Sequence, residues 1–150
     1  MSQTAYPLGY RVSKAVIAVI FNVVVWILIP SLILTQLESG LPAAPLTLSN
    51  DFIYAFGITI TALQAIGALT MGMAISVPFV SGSYVAEAYY IWAAVDGGLL
   101  AFDAAGVGIS LSFQPLLFLL MLAPLFNAVK APLTYLLEQN EASGPSPDSV

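Results

Sequence analysis

From Ala15 to Leu34 the chain runs for 20 residues with only Asn22 and Ser31 polar. As a helix, that run rises about 30 Å, the thickness of a bilayer's hydrocarbon core. Lipid offers no partner to a backbone N–H or C=O, so a segment that enters it must satisfy its own backbone. The β-branched run Val23-Val24-Val25, a poor helix former in water, is therefore expected to be helical here. The first span is placed at residues 14–35, capped by Ser13 and bent in its last turn by Pro30. Arg11 and Lys14 precede it as the basic region of a secretory signal does. The run exceeds the roughly 7–15 residues of a signal core, and the helix is expected to be retained.

Three more apolar regions follow. Residues 36–51, with Gly40, Pro42 and Pro45, are expected to be a loop, and Asn50 or Asp51 to cap the next helix. The second span, 52–79, carries Gln64, Ala68, Gly72 and Ser76 at four-residue spacing. On one helix these form a ridge of small or weakly polar side chains that lets a neighbouring helix approach closely. The third region, 84–112, is interrupted by Gly97-Gly98 and is either one tilted helix or two pieces. The fourth span, 114–137, opens with Pro115 in its first turn and contains Pro124 and Pro132, which are expected to kink it. Residues 1–13 are expected to be an extended lead. Residues 138–150 form an acidic Ser/Pro-rich tail of disordered composition. The expected fold is all-α: a single hydrophobic bundle of about four membrane-type helices over residues 14–137.

Charge decides what can cover such a bundle. The chain is 59% hydrophobic and 7% charged, against about 25% charged in an ordinary soluble domain. Lipid or further copies must cover it. Only Arg11, Lys14 and Lys130 are basic, against eight acidic residues. Direct nucleic-acid binding, which displaces counterions with several cations, is not expected on that ground. The chain has no Cys and no His, so thiol chemistry and the usual metal ligands and general base are missing. Ser81-Gly82-Ser83 has no recognisable base partner. The chain is expected not to be an enzyme and to hold no cofactor or metal. Arg11, Lys14 and Lys130 flank the first and fourth spans, so the positive-inside rule puts both termini in the cytoplasm.

A few polar residues each admit two readings. Asp96 and Asp103 are seven residues apart and share a face of an ideal helix to within about 20°. At membrane depth they suggest a proton relay; if the helix breaks at Gly97-Gly98, they lie at an aqueous surface. Lys130 either pairs with Asp96 or Asp103 across the bundle or extends to the headgroups. Asn22 and Gln64 either set helix register by hydrogen bonding or coordinate an ion. Tyr84, Tyr89, Tyr90 and Trp92 form either an interfacial belt or a stacking site for a flat ligand.

These features favour a structural protein that assembles with copies of itself and contacts lipid at least transiently. In its general character over residues 14–137 the chain resembles the highly hydrophobic helical capsid proteins of spindle-shaped archaeal viruses. That resemblance rests on no motif and transfers no functional residue. It implies a coat subunit inserted in the host membrane before assembly and then carried in the virion. With so few cations, such a coat leaves genome neutralisation to a separate basic protein or polyamines. The alternative, motivated by Asp96, Asp103 and Lys130, is a small four-span ion- or proton-coupled membrane protein, or an accessory subunit of a larger membrane complex.

Overall fold

The structure, a computed structural model, describes residues 6–40, 49–104 and 107–142. Helix α1 (Leu8–Val23), a π-helical turn (Val24–Leu28) and α2 (Ile29–Gly40) follow one another without a break. Next come α3 (Asn50–Leu69), α4 (Ser76–Ala94), a hairpin of β1 (Leu99–Ala104) and β2 (Val107–Ser112), and α5 (Gln114–Ala142). Three helices are long and apolar enough to cross a membrane: Leu8–Gln36, Asn50–Leu69 and Gln114–Asn140. α1 packs on α3, α3 on α4, and α4 on α5, so the helical bundle grows in chain order.

The core is thin. Ile27, Leu34 and Ile53 form its main cluster, and Ile60 is also fully buried. Most large apolar side chains of α1, α2 and α5 point outward. Leu32 is 65% exposed and Phe126 72%, which in water would leave a large apolar surface uncovered. The membrane-type bundle expected from composition is therefore what forms.

The element boundaries differ from expectation in several places. The helix starts at Leu8, not after residue 13, and Ser13 lies inside it with its hydroxyl donating to Gly9 O at 2.9 Å. α2 continues to Gly40, and the cap of α3 is Ser49, whose Oγ accepts from Phe52 N at 3.2 Å. Residues 41–48 of the expected loop lie outside the described residues. The second span ends at Leu69, because Gly72 takes φ 82°, a left-handed turn that no helix accommodates. Pro78, within the expected second span, sits in the first turn of α4, where its missing N–H costs nothing. α5 continues to Ala142, into the expected tail; residues 1–5 and 143–150 lie outside the described residues.

The largest correction concerns residues 99–112, which form an antiparallel hairpin and not the end of a helix. Leu99 pairs with Ser112 and Ala104 with Val107. Asp96, Gly97 and Gly98 all take positive φ, which stops α4 and turns the chain. Val107, Ile109 and Leu111 then alternate with Gly108, Ser110 and Ser112. That is the two-residue period of a strand.

At two of the prolines inside helices, Pro30 and Pro132, α4 brings a hydroxyl to the carbonyl whose N–H donor is missing. Pro132 cannot donate to Ala128 O, its α-helical partner, and Ser81 Oγ on α4 donates to that carbonyl at 2.9 Å. Pro30 likewise leaves Trp26 O without its usual donor, and the π-helical turn lies just before it. Tyr90 Oη, also on α4, stands 3.5 Å from Trp26 O, the longer of the two contacts. Ser81→Ala is expected to cost about 1 kcal/mol, because it leaves a buried carbonyl unpaired. In a Pro132→Ala background the helix supplies its own N–H, and the same substitution is expected to cost only a few tenths of that. Unfolding titrations of the four proteins in mixed detergent give both values. Equal costs in the two backgrounds would show that Ser81 does not act through this carbonyl.

Candidate functional site

The bundle interior holds one connected set of polar side chains, drawn from three helices. Asn22 on α1 is 1% exposed. Its Nδ2 donates to Ala18 O at 2.7 Å, one turn back, and to Gln64 Oε1 on α3 at 2.8 Å. Gln64 Nε2 in turn donates to Glu87 Oε1 on α4, a residue 8% exposed. The Gln64 amide thus uses both its ends, accepting from α1 and donating to α4. Away from water such bonds hold three helices in one register, because a slip of either neighbour strands a polar group. Fully buried Ser83 lies one turn before Glu87 and donates to Val80 O at 2.8 Å.

Helix approach around this set depends on two glycines. A Cβ on Gly57 would collide with Ile27 Cγ1 and come within 3.0 Å of Trp26 O. A Cβ on Gly67 would lie 2.6 Å from Val80 Cγ2. These are the close crossings of α3 with the first helix and with α4. The ridge expected from Gln64, Ala68, Gly72 and Ser76 does not form one face. Gln64 and Ala68 are on α3, Gly72 is in the turn, and Ser76 opens α4.

One end of the bundle is aromatic. Tyr90 is buried, stacking on Phe52 at 5.4 Å and meeting Trp26 edge-on at 5.3 Å. Tyr89 and Trp92, 6.0 Å apart, are exposed beside it, Tyr89 lying 5.3 Å from Phe56. Tyr84 lies apart from this cluster, in a cleft towards the other end.

Of the singled-out charges, Asp96 and Lys130 do not meet. Asp96 is exposed in the turn after α4, with φ 48°. Asp103 lies in β1 opposite Gly108, so it shares no helical face with Asp96; its side chain lies outside the described residues. Lys130 is exposed and lines the cleft with Tyr6, Tyr135 and Glu138. About 24 Å of α5 separates it from Gln114, the residue that abuts Gly98 next to Asp96. The Asp96–Lys130 pair is therefore not made. Arg11 Nε donates to Tyr6 O at 2.9 Å, and Lys14 lies over the Tyr10 ring at 5.6 Å. All three cations thus fall at the end where the first helix begins and α5 finishes.

Glu87 is the residue that spacing along the chain did not single out. The signal was depth: Asn22, Gln64 and Glu87 each lie well inside a separate apolar stretch, and groups at equal depth in neighbouring antiparallel helices meet. Chemically, the trio can hold a proton on a carboxyl and orient that carboxyl through an amide. Among the described residues no three His, Cys, Asp or Glu side chains come together as metal ligands. No protein-family model matches this sequence, and no curated protein and no solved structure is significantly similar to it.

Proposed function

We propose that the chain is an integral-membrane structural protein that assembles with copies of itself, in its most specific form a viral coat subunit held in the host membrane before assembly. What carries this reading is where the polar and apolar groups go. Asn22, Gln64, Glu87 and Ser81 are engaged inside the bundle, between its own helices. The outer faces of α1, α2 and α5 are apolar and without a partner among the described residues. Its functional surface is then its outside. The cations at the end bearing both described termini support a cytoplasmic placement of that end.

The chain has no cysteine, so a single introduced thiol reports on its own position alone. Phe126→Cys and Ile20→Cys, each alone, are expected to give disulfide-linked dimers on mild oxidation in native membranes. Ala88→Cys, buried within the bundle, is expected to give none. Monomers throughout would mean that lipid alone covers these faces, and the assembly reading would fall.

The buried carboxyl of Glu87 favours a second reading, proton coupling. Under that reading Glu87→Gln, which keeps an oxygen to accept from Gln64, abolishes proton flux into vesicles containing the chain. Under the structural reading there is no such flux to lose.

A further inference from the structure

The cleft at the basic end of the bundle has the chemistry of a lipid-headgroup site. It is open, about 300 Å³ in volume, and lies between α4 and α5 at the level of the turn that joins α3 to α4. That volume is at the lower end for small-molecule sites, which run from about 300 to 1,000 Å³. Val77, Val80 and Tyr84 of α4 and Tyr135 of α5 line it, and its charges are Lys130 and Glu138 of α5. The order of these groups along the bundle axis matters. Ser81 bonds to Ala128 O, so Lys130 lies level with the first turns of α4, just inside the bundle's end. Glu138 is eight residues on, about 12 Å further out along the helix.

We propose that this cleft holds the headgroup of a zwitterionic phospholipid, with the phosphate at Lys130 and the ammonium outward against Glu138 and the rings of Tyr6 and Tyr135. The proposal rests on the membrane reading of the bundle. A phospholipid headgroup presents its groups in the same order outward from the chains: glycerol, then phosphate, then ammonium. Lys130, about level with Val80, supplies the charge the phosphate requires, and Glu138 lies further out, where the ammonium falls. A purely anionic headgroup meets Glu138 as a like charge, whereas an ammonium finds there a counter-ion and aromatic faces. One lysine and one glutamate in a single cleft therefore select for a headgroup bearing both signs.

The test uses the full chain in nanodiscs of equimolar phosphatidylethanolamine and phosphatidylglycerol, with retained lipid read by native mass spectrometry. The wild-type chain is expected to keep one lipid, phosphatidylethanolamine over phosphatidylglycerol by about fivefold. Lys130→Ala is expected to lower retention of both by about tenfold, the effect of one lost charge-assisted contact. Glu138→Gln is expected to lower phosphatidylethanolamine and raise phosphatidylglycerol, inverting the preference. Both side chains are exposed, so helicity measured by circular dichroism is expected to be unchanged. Equal retention of both lipids by all three proteins overturns the site and leaves the membrane reading standing. Displacement of the retained lipid by millimolar phosphoethanolamine or inorganic phosphate assigns the cleft to a soluble ligand and also overturns it. A wild-type chain washed from membranes by alkaline carbonate overturns the membrane reading and this proposal together.

Discussion

Gly57→Leu is expected to be the most damaging single substitution in the chain. A first side-chain carbon at position 57 already collides with Ile27 and crowds the carbonyl of Trp26, which belongs to backbone and cannot rotate aside. Three further carbons drive α3 off the first helix, where Ile27, Leu34 and Ile53 make the main apolar cluster. Overpacking of this kind costs about 3 kcal/mol or more. The expected result is a large fall in the detergent unfolding midpoint, with loss of the Trp26–Tyr90 contact seen as a shift in tryptophan emission. Gly82→Ala is the matched control. Nothing stands within 4 Å of a Cβ there, and alanine suits a helix better than glycine, so stability is expected to hold or rise slightly. If Gly57→Leu and Gly82→Ala unfold alike, the close crossing of α3 and the first helix is wrong. Gly72→Leu, by contrast, acts on a left-handed turn and strains the link between α3 and α4.

The second large effect is expected at Gln64. Gln64→Leu removes the one group that bonds to both α1 and α4, leaving Asn22 Nδ2 and the Glu87 carboxyl short of a partner at once. Each interhelical hydrogen bond in a membrane protein contributes about 0.6–1.7 kcal/mol, so the loss is expected to be about 2 kcal/mol. Asn22→Leu removes one bond and is expected to cost about half as much by the same measure. Because the trio acts as a unit, the double variant Asn22→Leu/Gln64→Leu is expected to cost less than the two single variants together. Thermal unfolding of the three variants in one detergent decides this. Strict additivity would show that the two residues do not share a bond.

How far the sequence speaks differs from one residue to the next. The run from Ala15 to Leu34 identified a membrane-type helix from length and polarity alone, because the bilayer thickness leaves little choice. Asn22 and Gln64 were legible as polar residues needing partners inside apolar helices. That they would partner each other, 42 positions apart, was not, since it depends on which helices become neighbours and at what offset. Glu87 was not legible as the partner of Gln64, because that depends on its depth against α3 and not on its position along its own helix. The hairpin was written in the alternation of residues 107–112 but masked by the apolar content that makes every segment here look like part of a span.

Composition and the length of apolar runs determined the class of this protein by themselves: a helical, membrane-type chain with too few charges to face water. Those properties sum over residues and need no knowledge of neighbours. Tertiary structure alone decided which glycines permit close crossings, which hydroxyls replace the bonds that Pro30 and Pro132 withhold, and that Lys130 stands beside Glu138 in a cleft and not beside Asp96. Each of these depends on the offset between antiparallel helices, which is set by packing across the interface and leaves no period along the chain.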